Sequence, residues 1–232
     1  MMALQTGGHT LKVFDQDIER LRALISQMGG LAEHAIGEAM RCLVQRDTEG
    51  ALRVVADDKK LDELEVETER RAVQLIALRA PMAGDLRDVV AALKISGVVE
   101  RIGDYAKNIA RRVPQIESAG KIEPMSLLPE MARIATGMVH DVLDAFVERD
   151  SEVAVQVCER DHAVDDFYDS IFRTLLTHMM ENPHNIGQSA HLLFVAKNLE
   201  RVGDHATNIA EMVYYAATGD HMAEIPKTRA GA

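Results

Sequence analysis

Apolar residues recur every three or four positions through most of this chain, which is the spacing of one face of an α-helix. Asp47 precedes one such run and is expected to cap a helix, and Pro81 is expected to end that helix. Long helices that are joined by short turns pack as antiparallel bundles. The pattern therefore predicts an all-α chain, with helices over about 14–44, 48–80, 82–116, 127–149, 151–182 and 185–218.

The second half of the chain repeats the first. The sequence ERIGDYAKNIA at 100–110 and the sequence ERVGDHATNIA at 200–210 are identical at eight of eleven positions. Upstream, DKKLD at 58–62 matches DHAVD at 161–165. Repeats of this kind indicate a duplicated architecture. The chain is therefore predicted to form two tandem homologous three-helix bundles, with residues 1–120 as the first repeat, 121–232 as the second, a linker near 117–125 and a polar C-terminal tail.

Composition narrows the class of protein. The chain has 232 residues, of which 47% are hydrophobic but only 4% aromatic, so the predicted core consists mainly of Ala, Leu, Val, Ile and Met. The formal net charge of −11 would repel phosphate backbones and anionic lipid headgroups, so nucleic acid is not an expected partner. No apolar run approaches the roughly 18 residues that span a bilayer. We expect a cytoplasmic protein that reaches a membrane only through its partners.

Carboxylates form one stripe of the third predicted helix in each half. At about 100° per residue, Glu100 and Asp104 fall on one side of the helix, and Asn108 continues their line. A solvent-exposed polar face is the simplest interpretation of such a stripe when it is taken alone. The second repeat places the same stripe at Glu200, Asp204 and Asn208.

The second predicted helix of each half changes this interpretation. Asp58 and Asp62 interrupt a line of apolar residues that includes Val73, where Leu or Ala would be expected. Because the chain turns near residue 82, both aspartates are expected to lie level with Glu100 and Asp104 on the neighbouring helix. Carboxylates in a packing surface are costly unless cations neutralise them. In the second repeat the corresponding residues are Asp161 and Asp165, in a line with Phe172 and Leu176 and level with Glu200 and Asp204.

Four carboxylates at one level of a bundle require a positive charge. Sets of oxygen ligands suit Mg, Mn, Ca or iron better than a closed structural zinc site. Arg101 and Arg201 offer an alternative, because ion pairs within the chain would neutralise the same carboxylates. Gly103 and Gly203 lack side chains and are expected to let another helix or a ligand approach closely. The predicted metal-binding residues are Asp58, Asp62, Glu100, Asp104, Asp161, Asp165, Glu200 and Asp204, with Asn108, Asn208 and His205 as weaker candidates.

The chain lacks the motifs of several enzyme classes. It contains no P-loop, G-x-G-x-x-G or G-x-S-x-G sequence, so ATP hydrolysis, dinucleotide binding and acyl transfer have no basis in it. Cys42 and Cys158 lack C-x-x-C spacing and are expected to be small core residues in a protein of a reducing compartment. The first repeat has Tyr105 where the second has His205, so two metal sites that used histidine would be unequal.

The repeated motif E-R-[IV]-G-D-x-A-x-N-I-A, with D-x-x-[LV]-D upstream of each copy, closely resembles the PhoU family of phosphate-signalling proteins over about residues 12–217. The resemblance implies a cytoplasmic negative regulator without enzymatic activity. It also implies two partners, the phosphate ABC transporter with its ATPase and the phosphate sensor histidine kinase, and we expect a homodimer. Iron or zinc would bind the family's E-x-x-x-D signature, which maps onto Glu100–Asp104 and Glu200–Asp204.

Two other functions are compatible with the same residues. One is a carboxylate-bridged di-metal enzyme similar to the ferritin-like bundles. The other is a chaperone-like helical scaffold whose acidic faces are incidental. Metal content would separate the scaffold from the other two, and oxidase activity after iron loading would separate the enzyme from the adaptor.

Overall fold

The computed structural model describes residues 7–117 and 126–222, with side chains from Phe14 onward in the first helix. These residues are almost entirely helical and contain no strand, which confirms the predicted all-α fold. A short 3₁₀ turn, Pro183–Asn185, precedes the last helix. The helices are α1 (Gly7–Gln45), α2 (Thr48–Asp57), α3 (Lys59–Arg79), α4 (Gly84–Ala110), α5 (Val113–Glu117), α6 (Leu128–Glu148), α7 (Ser151–Glu181) and α8 (Ile186–Thr218).

Each half forms a bundle of three long helical segments. The first bundle consists of α1, the α2–α3 segment and α4, and the second consists of α6, α7 and α8. The predicted boundary at residue 120, most of the predicted linker and most of the polar tail lie outside the described residues.

An aspartate caps the second segment of each half. The carboxylate of Asp47 accepts a hydrogen bond from the backbone N–H of Gly50 at 2.8 Å. Asp150 Oδ1 accepts bonds from the N–H groups of Glu152 and Val153 at 2.9 and 3.0 Å. Each bond satisfies an N–H group that has no partner within the first helical turn. The cap predicted at Asp47 is therefore confirmed.

Two helices depart from the prediction. The helix predicted over 48–80 is interrupted at Asp58, where the backbone carbonyl accepts a bond from the residue three positions later. The third helix ends at Ala110 rather than near residue 116. Pro114 explains this earlier end, because it has no N–H group to donate to the Ala110 carbonyl.

The core is aliphatic, as the composition predicts. Nearly all the buried side chains are Ala, Val, Leu, Ile and Met, and Phe146 is the one buried aromatic side chain among the described residues. Cys42 is buried in this core, and Cys158 is partly buried beside it. Both cysteines are free thiols.

Part of the line of apolar residues that the sequence places in a packing surface is exposed. Val73, Phe172 and Leu176 are 54%, 40% and 47% exposed, so their assignment to the core is wrong. The buried face of α3 and of α7 lies about one residue away from the predicted line. The acidic residues lie at the edge of that buried face. The buried residues of α3 and α7 are Leu61, Thr68, Ala72, Leu75, Ala154, Val157, Val164, Ile171 and Leu175.

The two halves pack through α4 against α8 and through α1 against α6. Helices α4 and α8 are antiparallel, because Tyr105 contacts His205 while Arg87, near the start of α4, reaches the Ala216 carbonyl near the end of α8. Because Tyr105 and His205 are equivalent in the duplication, the two copies of the repeated motif contact each other across this interface.

A buried aspartate joins three segments across this interface. Asp88 on α4 is 5% exposed, and its Oδ2 lies 2.9 Å from Arg22 Nη2 and 3.4 Å from Arg149 Nη1. Burial raises the pKa of Asp88, and the charges of Arg149 and Arg22 oppose this change. Arg149 Nη2 also donates to the Ala216 carbonyl at 3.4 Å. The first bundle is thus tied to the second by ion pairs as well as by apolar packing.

None of the described helices combines the length and the apolar character needed to cross a membrane.

The capping interaction at Asp150 provides a test of the fold. Asp150→Ala removes the acceptor of two backbone N–H groups and should lower the free energy of unfolding by about 1 kcal/mol. For a chain of this size, that change lowers the melting temperature by about 2–4 °C. Asp150→Asn is the matched control, because asparagine caps helices as well as aspartate does. Equal melting temperatures for the two variants would contradict the capping role.

Candidate functional site

Helices α3 and α4 lie close together at Gly103. A side chain at this position would overlap Leu61, and a Cβ there would lie 3.7 Å from Asp58 Oδ1. One turn further along α4, Lys107 Nζ lies 2.5 Å from Asp58 Oδ2. These contacts confirm the predicted level of Asp58 on the neighbouring helix and the predicted close approach at Gly103.

The first acidic cluster, formed by Asp58, Asp62, Glu100 and Asp104, contains an ammonium group. Lys107 Nζ contacts Asp58 Oδ2 and lies 2.8 Å from Asp104 Oδ1. The side chains of Asp58 and Lys107 are only 7% and 20% exposed, so water screens this ion pair little. Hydrogen bonds to Asp104 and Asp58 raise the pKa of Lys107.

Sequence reasoning missed Lys107. Its position one helical turn after Asp104 is a signal for an ion pair along α4. The bond from Lys107 to Asp58, at the junction of α2 and α3, has no comparable signal in the sequence.

Glu100 experiences the combined charge of this cluster. Burial, followed by the charges of Asp104 and Glu65, raises the pKa of Glu100 to about 7. Asp62 and Asp58 act in the same direction. The structure therefore brings the four predicted carboxylates close enough to repel one another. Glu65, which the sequence analysis did not predict, adds a fifth.

The second acidic cluster is formed by Asp161, Asp165, Glu200 and Asp204, between α7 and α8. Burial, followed by the charges of Asp165 and Asp204, raises the pKa of Asp161 to about 6, and Glu200 adds to this effect. A Cβ at Gly203 would lie 3.0 Å from Asp161 Oδ1, so the absence of a side chain makes room for the carboxylate.

A lysine contacts the second cluster at a different place. Lys197 Nζ lies 2.5 Å from Glu200 Oε1 and 5.2 Å from the centre of the Tyr168 ring. The equivalent residues of the first half are Gly97 and Glu65. Each cluster thus contacts one lysine, but the two lysines occupy non-equivalent positions.

The predicted site residues differ in their exposure. Asp58 and Asp161 lie between the paired helices, and Glu100 and Glu200 are partly buried. Asp104 and Asn108 are also partly buried. The residues on the exposed rim are Asp62, Asp165, Asp204 and Asn208.

The arginines that offered the alternative explanation do not neutralise the clusters. Arg101 and Arg201 are exposed, and neither forms an ion pair within the described part of the chain. Arg201 instead lies 5.9 Å from the centre of the Tyr105 ring. Lys107 and Lys197 form the ion pairs with the two clusters instead.

His205 contributes to the contact between the halves. Its ring stacks on Tyr105 with centroids 5.4 Å apart, and its Nε2 is 3.0 Å from the Tyr105 hydroxyl. Its Nδ1 is 3.4 Å from Asn208 Nδ2. Burial, followed by the charges of Arg101 and Arg201, lowers the pKa of His205. Both ring nitrogens therefore face partners other than a carboxylate.

The donor atoms of the second cluster suit a hard cation. Glu200 Oε2 is buried without a hydrogen-bond partner, and carboxylate oxygens are ligands that Mg, Mn and iron accept. Within residues 7–117 and 126–222, however, no three His, Cys, Asp or Glu side chains are already arranged to hold a metal ion. Metal binding at either cluster stays a prediction.

Comparison with known proteins identifies relatives over nearly the whole chain. The phosphate-specific transport system accessory protein PhoU homolog of Zymomonas mobilis is 54% identical over 217 residues, which are 94% of this chain and 92% of the relative. The protein of the same name from Caulobacter vibrioides is 47% identical over 218 residues, 92% of this chain and 94% of the relative. Neither name describes an enzyme.

Solved structures share the fold. The crystal structure of PhoU from Pseudomonas aeruginosa is similar with a TM-score of 0.85 at 34% identity, covering 89% of this chain and 100% of that chain. The phosphate transport system regulatory protein PhoU from Streptococcus pneumoniae gives a TM-score of 0.84 at 25% identity, covering 90% and 98%. The PhoU domain family model matches residues 25–113 and 128–213, one match in each half. The chain therefore belongs to the PhoU family.

Proposed function

We propose that this chain is a cytoplasmic, non-enzymatic regulator that restrains phosphate uptake and phosphate-starvation signalling. In this role it binds a divalent or ferric cation and links the ATPase of the phosphate ABC transporter to the phosphate sensor histidine kinase. The relatives are named as accessory proteins of the phosphate-specific transport system, which supports a role beside that transporter. Assembly as a homodimer stays a prediction.

The repetition of an acidic cluster at the same level of both halves carries the metal-binding part of this proposal. Asp58 and Asp161 are equivalent in the duplication, and each is held beside carboxylates of the neighbouring helix. Carboxylates that repel one another lower the stability of the fold. A bound cation would remove this repulsion, so the arrangement favours ligand binding over a purely structural role.

The residues present would hold the cation through oxygen atoms. In the second half these residues are Asp161, Asp165, Glu200 and Asp204, and the corresponding set in the first half is Asp58, Asp62, Glu100 and Asp104. The family resemblance favours iron or zinc, whereas the all-oxygen donor set also suits Mg or Mn. The cation would supply positive charge that neutralises the cluster and holds the two helices together.

The surface charge supports an adaptor. A formal net charge of −11 would complement basic patches on a transporter ATPase or a kinase, and such complementarity increases the rate of association. The two bundles also present long helical faces to partner domains.

A di-metal enzyme is less well supported. Ferritin-like enzymes direct Glu-x-x-His pairs from two helices into the bundle core. Glu159 and His162 have this spacing on α7, but both side chains are exposed. The equivalent residues of the first half are Ala56 and Lys59, so the pair is not repeated.

The regulatory role is tested by deleting the gene and measuring alkaline phosphatase in high-phosphate medium. We expect the phosphatase to be expressed despite abundant phosphate, because the kinase would no longer be held inactive. Restoring the wild-type gene should restore repression. Unchanged repression in the deletion strain would contradict this function.

Metal content tests the acidic clusters. Asp104→Ala combined with Asp204→Ala should lower the bound metal to less than about half, measured by elemental analysis, because each cluster loses one ligand. Helicity should stay nearly unchanged, because Asp204 is exposed and Asp104 is only partly buried, so neither carboxylate belongs to the apolar core. The control is Asp85→Ala with Glu211→Ala, which removes two exposed carboxylates from the same helices. An equal loss of metal in the control would contradict specific binding.

The raised pKa of Asp161 predicts how the stability of the fold depends on pH. Its folded-state value of about 6 lies above its ordinary value of 3.8, so ionisation of Asp161 costs stability as the pH rises through this interval. In chelator at neutral pH, Asp161→Asn should therefore be more stable than wild type, by about 1 kcal/mol after allowance for solvent screening. The difference should shrink as the pH falls through this interval and vanish below about pH 3, where the carboxyl group is protonated in both states.

Thermal melts across this pH range provide the measurement. Asp166→Asn, an exposed position on the same helix, is the matched control and should not change the melting temperature. A lower melting temperature for Asp161→Asn in chelator at neutral pH would show that the carboxylate takes part in a stabilising ion pair.

A further inference from the structure

The two halves differ at three positions of the repeated eleven-residue motif. One difference is conservative, Ile102 against Val202, and one forms the contact between the halves, Tyr105 against His205. The third is Lys107 against Thr207. This last difference changes the charge beside an acidic cluster.

In the first half, the ammonium group of Lys107 bridges two helices. It lies 2.5 Å from Asp58, at the junction of α2 and α3, and 2.8 Å from Asp104 on α4. These carboxylates are the pair between which a cation would have to bind in order to connect the helices. The ammonium therefore occupies the position of a bridging cation and satisfies both carboxylates without a ligand from solution.

In the second half, the equivalent position carries no charge. The Thr207 hydroxyl donates to the Asp204 carbonyl of its own helix at 2.7 Å. Lys197 contacts Glu200, one turn before Asp204, and is not seen to bond to Asp161. The pair Asp161 and Asp204, which corresponds to Asp58 and Asp104, thus has no bridging ammonium in the described residues.

We infer that Lys107 is a built-in cation that closes the first cluster to metal, so that metal binding is confined to the second cluster. This inference rests on the proposed metal-binding function and specifies which half performs it. A metal ion that entered the first cluster would have to displace an ammonium that is held by two carboxylates, one of them largely buried. Removing one partner of a buried ion pair is strongly unfavourable, so the metal would bind there only weakly.

The test isolates the first cluster. In a chain with Asp161→Asn and Asp204→Asn, only the first cluster keeps all its carboxylates, and we expect no retention of Mn²⁺ in equilibrium dialysis. Adding Lys107→Met to this chain removes the ammonium at similar side-chain length and should raise the affinity for Mn²⁺ at least about tenfold. Lys107→Arg is the control, because it keeps the charge and should keep the cluster closed.

The reciprocal variant tests the second cluster. In an otherwise wild-type chain, Thr207→Lys should lower the affinity for Mn²⁺ at least about tenfold, whereas Thr207→Met, of similar length but without charge, should not. Far-UV circular dichroism of every variant confirms that the helices are retained. Equal binding by the Lys107→Met and Lys107→Arg chains, or two equivalent Mn²⁺ sites in wild type, would overturn this inference alone.

A measurement without metal completes the test. In chelator, Lys107→Met should melt about 3–6 °C below wild type, because the carboxylates of the first cluster lose their counter-charge, and Lys107→Arg should melt close to wild type. Equal melting temperatures would overturn the role of Lys107 as a cation. Absence of Mn²⁺ binding by wild type and by all variants would overturn the proposed metal binding itself, and with it this inference.

Discussion

The close approach of the paired helices at Gly103 and Gly203 is the constraint on which both acidic clusters depend. A Cβ at Gly103 would overlap Leu61, and one at Gly203 would lie 3.0 Å from Asp161 Oδ1. Glycine in the middle of a helix costs about 1 kcal/mol relative to alanine. In this structure the absence of a side chain lets Asp58 and Asp161 lie beside carboxylates of the next helix. A larger residue at either glycine would push the two helices apart.

The carboxylates of each cluster repel one another, and the two halves reduce this repulsion in different ways. In the first half, Lys107 neutralises Asp58 and Asp104, and Glu100 keeps a pKa of about 7. In the second half, Lys197 neutralises Glu200. The carboxylate with the raised pKa is then Asp161, on the opposite helix of the pair. A duplicated scaffold therefore holds two clusters whose uncompensated carboxylates occupy different positions.

The same duplication also builds the interface between the halves. Because α4 and α8 pack antiparallel, the two copies of the motif meet, and Tyr105 stacks on His205. The motif thus has two faces: one directs carboxylates toward the preceding helix, and the other contacts the second copy. His205 belongs to the second face, which explains why its Nε2 faces Tyr105.

The sequence by itself determined the all-α class, the duplication and the level at which Asp58 lies on α4. These properties follow from apolar periodicity, from repeated motifs and from the position of a turn, all of which are local signals. Only the tertiary structure decided that Val73 is exposed, that Lys107 neutralises the first cluster and that His205 contacts the other half. The physical reason is that these outcomes depend on how far each helix is rotated about its axis and on contacts between distant helices, which spacing along one helix does not specify.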